Sequence, residues 1–160
     1  MKNASIGIIA LLVMSVFAQV ASSTPPNERQ ARPSPDWLTR GVIYQVWLRT
    51  FTPEGTLKAA ANRLAEVADL GATVVYLSPV QLQDDDPRPE FWSPRQQKSP
   101  NADPRNPYRV KDYDRIDPEY GTETDLQEFV AKAHKHGLRV LMDVVYHHTG
   151  PTCVLLKHPE

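Results

Sequence analysis

The sequence predicts an α/β fold built on a parallel sheet, and three observations carry that expectation. Short apolar runs alternate with stretches of helical spacing, in the order strand, helix, strand, long loop, helix, strand. Strands joined through a helix run parallel, with a right-handed crossover. The second run, Thr73-Val74-Val75-Tyr76-Leu77, is apolar without alternation, as in a strand buried on both faces. Finally, 160 residues of which 41% are hydrophobic can bury the core of one ordinary domain. On these grounds alone a doubly wound sheet and a (β/α)8 barrel both stay open.

The chain begins with Lys2, an apolar run from Ile6 to Ala18, and the small residues Ala21, Ser22 and Ser23. A positive start, a short apolar centre and a small-residue exit make up a secretory signal peptide. The run is shorter than the roughly 20 residues of a membrane span. The expectation is a signal peptide over 1–22, export of the protein, and no membrane association after cleavage. Thr24-Pro25-Pro26 and Arg32-Pro33-Ser34-Pro35 then mark 23–36 as a Pro-rich extended linker. The folding domain is expected over 37–160.

Within it, Val42 to Leu48 is β-branched and aromatic, which predicts the first strand. Thr52-Pro53-Glu54-Gly55 breaks it. Leu57, Ala60, Ala61, Leu64, Val67 and Ala68 fall at helical spacing, with Thr56 placed to cap the start and Gly71 to close the end. After the second strand, Val80 to Pro107 reads as a long irregular loop with six prolines. It carries Phe91 and Trp92, suited either to stacking on a sugar or to covering the rim of the fold. Thr122 and Asp125 have the spacing of a capping box, and Leu126, Phe129, Val130 and Ala133 share one helical face up to Gly137. Leu138 to Val145 predicts the third strand.

Several function classes drop out. Eighteen Lys and Arg against 19 Asp and Glu give a net charge of −1, without the basic footprint of duplex nucleic-acid binding. One Cys excludes an internal disulfide framework and a Cys-based zinc site. No phosphate-cradling glycine loop follows any strand.

In parallel α/β folds ligands lie beyond the carboxyl ends of the strands. The richest such place here is Asp143-Val144-Val145-Tyr146-His147-His148-Thr149-Gly150. Asp143 interrupts an apolar strand, and a buried carboxylate is costly unless paired or hydrogen-bonded. It is expected to organise the site rather than to react. His147 and His148 with one Asp are a weak metal signature and more readily donate hydrogen bonds.

Leu138 to Thr149 resembles the Asp-x-x-x-Asn-His segment at the third strand of the α-amylase family of glycoside hydrolases. Gly41 to Trp47, Leu70 to Pro79, Tyr108 to Tyr113, Ile116 to Thr122 and Ala133 to Gly137 resemble the same family, in family order. The resemblance implies the amino-terminal portion, about three βα units, of a (β/α)8 barrel acting on α-glucosidic bonds, with an α-glucan or oligosaccharide as substrate. Tyr108 matches an aromatic that stacks on the sugar beside the scissile bond, and His148 a histidine that hydrogen-bonds that sugar. Asp143 and Asp112 match supporting carboxylates. His147 stands where most relatives have an Asn that often binds structural Ca²⁺. Imidazole suits that oxygen-preferring ion poorly, so no cofactor is assigned. Arg109 stands where exo-acting α-glucosidases often have Asp, which argues against that subclass.

Retaining hydrolysis needs two carboxyl groups about 5–5.5 Å apart. In the family these follow the fourth and fifth strands, and neither has a counterpart among these residues. A whole barrel takes about 250 residues. The expectation is therefore an incomplete barrel, inactive alone, from an exported glycoside hydrolase. The alternatives are a short exported non-catalytic carbohydrate-binding protein and a metal hydrolase using His147 and His148.

Overall fold

A computed structural model describes residues 30–100 and 103–157. The expected signal peptide, and residues 23–29 of the expected linker, lie outside the described residues. Residues 30–35 are irregular and exposed. The chain divides into two units, Met1–Pro33 and Ser34–Glu160; the fold below is that of the second.

Its elements follow in chain order: α1 (Asp36–Thr39), β1 (Ile43–Val46), α2 (Leu48–Phe51), α3 (Leu57–Ala61), α4 (Leu64–Asp69) and β2 (Val74–Leu77). Then come β3 (Gln81–Gln83), α5 (Pro94–Gln97), β4 (Val110–Ile116), α6 (Glu123–Lys135) and β5 (Arg139–Met142). Short 3-10 turns lie at Pro89–Phe91 and Val154–Lys157. β1, β2 and β5 form a parallel sheet with β2 in the middle. The register sets Val46 opposite Leu77 and Leu77 opposite Met142, so all three strands end level. Trp47, Ser78 and Asp143 are thereby the next residues along one edge. Ser78 N–H donates to Val46 O at 3.0 Å and Asp143 N–H to Leu77 O at 2.9 Å, which extends the ladder one step.

The apolar stripes meet beneath this sheet. Leu57, Ala60, Leu64 and Val67 from α3 and α4, and Phe129 and Ala133 from α6, are buried against Val75 and Leu77 of β2. Burying a ring such as Phe129 contributes about 1.5–3 kcal/mol. α6 starts with the expected capping box. Thr122 Oγ1 accepts from Asp125 N–H at 3.2 Å, and Asp125 Oδ2 accepts from Thr122 N–H at 2.8 Å. Gly137 closes it at φ +73°, a left-handed backbone that side chains resist.

Four differences from the sequence expectation have physical causes. Leu48 does not extend the first strand; it opens α2, where its N–H donates to Ser78 Oγ at 3.1 Å and its side chain is buried. The helix expected over 56–70 is two short helices, broken at Asn62 and Arg63, with the apolar face kept. The segment 80–107 is not structureless. β3 pairs antiparallel with β4, Pro89 and Pro94 sit in first turns where no N–H is needed, and Ser93 caps α5. Lastly, β5 ends at Met142, so Asp143 is half-buried just beyond a strand rather than buried inside one.

Candidate functional site

Tyr108 is placed by a local turn. Asn106 Oδ1 accepts from Tyr108 N–H at 2.9 Å, and Asn106 O accepts from Arg109 N–H at 2.8 Å. This carries the phenol to the strand ends, where its hydroxyl donates to Asp143 Oδ2 at 2.8 Å. The Trp47 ring stacks on Tyr108, with centroids 6.1 Å apart and planes 14° apart. Burial, and then the Asp143 carboxylate, push the Tyr108 phenol up to about 12. It therefore stays a protonated donor across the neutral range. Burial and the same carboxylate also raise Tyr76, the last but one residue of β2.

His148 is exposed in the loop after β5. Its backbone is held from β4, where Tyr113 Oη donates to Val145 O at 2.6 Å and to His148 O at 3.4 Å. Tyr108 and His148 line one cleft of about 420 Å³, with Asn106, Arg109, Phe91 and Trp92 among its other walls. Two of the residues singled out from the sequence therefore share a cavity, and a third, Asp143, is joined to it through Tyr108. The other two lie elsewhere. Asp112 sits on β4 opposite Leu82, its Oδ1 accepting from Asp114 N–H at 3.0 Å. His147 is exposed, its ring edge-on to His148 at 6.0 Å, outside the cleft lining.

Sequence reasoning missed the support beneath this cleft. Asp84, fully buried, accepts from Thr152 N–H at 2.7 Å, Thr152 Oγ1 at 2.8 Å and Asp86 N–H at 2.8 Å. Its own N–H donates to Arg109 O at 2.6 Å, and the Arg109 guanidinium lies 3.7 Å from Oδ1. Gly150 presses on the same carboxylate so closely that a Cβ there would collide with Asp84. The only sequence signal was an Asp-Asp-Asp run within the long loop. Trp47 was visible as a strand residue at the end of a family-like string, without its stacking on Tyr108.

No group of three His, Cys, Asp or Glu among the described residues converges to hold an ion, and His147 offers nitrogen where Ca²⁺ takes oxygen. Nor is any described helix long and apolar enough to cross a membrane.

A family model described as alpha amylase, catalytic domain, matches residues 17–158. The chain belongs to the α-amylase family. Maltase 1 of Drosophila virilis is 30% identical over 149 residues, which cover 90% of this chain and 20% of the maltase. A probable α-glucosidase of Rhizobium meliloti is 34% identical over 132 residues, 79% of this chain and 20% of that protein. The crystal structure of an α-amylase from Lactobacillus plantarum superposes with a TM-score of 0.66 at 32% identity, covering 78% of this chain and 27% of that one. The chain thus spans about a fifth of the length of these curated relatives. Its parallel strands and crossovers are part of the (β/α)8 barrel of α-amylase-family glycoside hydrolases. The matched segment contains Tyr108, Asp112, Asp143, His147 and His148.

Proposed function

We propose that these residues are the amino-terminal, sugar-binding part of the catalytic barrel of an exported enzyme that acts on α-glucosidic bonds with retention. The observation that carries the reading is the convergence of Tyr108, held by Asp143, with His148 on one cleft at the strand ends of an α-amylase-family barrel. Tyr108 offers an aromatic face to the apolar face of a glucosyl ring. His148 donates to a sugar hydroxyl, and Asp143 fixes the phenol without reacting. Asp112 supports the β4 backbone that carries Tyr113 beneath the His148 loop. The nucleophile and acid/base lie outside these residues, in the complete protein. The partner is an α-glucoside; maltase and α-glucosidase relatives are named for such substrates.

The test is to assay the complete protein on maltose, trehalose and maltooligosaccharides, following the anomer first released by NMR. Release of the α-anomer is the expected result. Sugar binding without turnover on any α-glucoside would instead favour a carbohydrate-binding protein. Amino-terminal sequencing of exported material tests the leader, and the expected start lies close to Ser23.

A further inference from the structure

Two of the segments that line the cleft bear the proposed sugar contacts. Asn106, Tyr108 and Arg109 come from the loop before β4, and His148, Thr149, Gly150 and Pro151 from the loop after β5. Neither segment is helix or strand, so the spacing of Tyr108 and His148 depends on bonds made between loops. Tyr113 holds the near end of the second loop, through Val145 O and His148 O. Its far end is held by Asp84, the first residue after β3. Asp84 Oδ2 accepts from Thr152 N–H at 2.7 Å and from Thr152 Oγ1 at 2.8 Å, four residues beyond His148. The Asp84 N–H donates to Arg109 O at 2.6 Å, one residue from Tyr108. His148 thus hangs between two anchors, and one of them is bonded to both segments.

Asp84 suits this task. It is fully buried and is not among the residues lining the cleft, so it reaches a ligand only through its neighbours. A carboxylate accepts shorter and stronger hydrogen bonds than a neutral oxygen. It also stands against the buried Arg109 guanidinium, 3.7 Å from Oδ1, whose Nε and Nη2 have no hydrogen-bond partner among the described residues. Removing one member of such a buried charge pair leaves the other uncompensated. Thr152 is different. It is exposed, and its hydroxyl can be removed without repacking a core.

We infer that Asp84 is a positioning residue for the reaction: acting through Thr152, it sets where His148 stands relative to a sugar held on Tyr108. The inference rests on reading the cleft as a sugar site. Displacing a contact by about 1 Å can cost a reaction up to about 100-fold, even when the change lies away from the chemistry. Asp84 and Thr152 are therefore expected to influence rate while touching no substrate.

The test is a double-mutant cycle in the complete enzyme, on whichever of maltose, trehalose and maltotriose it turns over fastest. Thr152→Val removes one bond to Asp84 and should lower kcat/KM about 3- to 10-fold with the thermal midpoint little changed. Thr152→Ser keeps the hydroxyl and should keep kcat/KM. Asp84→Ala should lower kcat/KM at least as far, with a fall in thermal midpoint from the unpaired Arg109. The deciding arm is Thr152→Val combined with His148→Ala. If Thr152 acts through His148, the valine has no further effect once the imidazole is gone. An equal loss in both backgrounds, or unchanged kcat/KM in Thr152→Val, overturns the positioning role and leaves Asp84 a structural residue only. No turnover by the wild type, or unchanged kcat/KM in His148→Ala, instead removes the sugar reading, and the positioning role with it.

Discussion

Tyr108 Oη and Asp143 Oδ2 lie 2.8 Å apart, although the loop before β4 supplies one and the end of β5 the other. The phenol is the donor, and its protonated form is favoured first by burial and then by the carboxylate. Its ordinary value of 10.0 rises to about 12. The unfolded chain releases this proton earlier than the folded one, so stability from this group is whole below pH 10 and fades as pH rises through 12. The wild-type minus Tyr108→Phe difference in phenolate absorbance should titrate near 12, and Asp143→Asn should move it towards 10. A wild-type midpoint at the ordinary value would show that the two side chains do not meet.

Gly150→Ala should destabilise the fold by about 1–3 kcal/mol, because the new methyl overlaps Asp84 within a packed, hydrogen-bonded loop. Urea denaturation of the two proteins measures it. Equal midpoints would mean that the loop after β5 is free to shift.

These two sites show what could be read from the sequence and what could not. The parallel strands, the α6 stripe and its capping box were legible because period and capping chemistry are local. Tyr108, Asp143 and His148 were singled out by resemblance, since each sits in a recognisable string. The antiparallel pairing of β3 with β4 was hidden by proline: six in 28 residues read as a loop, yet two of them begin helical turns. The partners of Asp84 were hidden for another reason. Thr152 is 68 residues away, and no local pattern announces a pairing at that separation.

His148→Ala in the complete enzyme should lower kcat/KM about 10-fold, as expected for one lost hydrogen bond to the sugar in the transition state. Its thermal midpoint should stay put, because the side chain is exposed. Steady-state kinetics beside a melting curve separates the two effects. Unchanged kcat/KM would remove His148 from the sugar site.

Residues 23–160 expressed alone should hydrolyse neither starch nor maltooligosaccharides, because retaining hydrolysis requires a carboxyl pair about 5–5.5 Å apart. They should also self-associate. β1 and β5 each pair only with β2 among the described residues, leaving outer edges that can recruit another strand. Clean turnover by this preparation, or a strictly monomeric one, would count against the corresponding half of the expectation.

Asp84 joins the loop after β3 to the loop after β5 by two bonds to Thr152, with Gly150 flush against it. The two loops can therefore vary only in concert. A larger residue at 150 demands a smaller one at 84, so positions 84 and 150 should behave as a compensating pair, with the double substitution Asp84→Gly and Gly150→Ala less damaging than the sum of its halves.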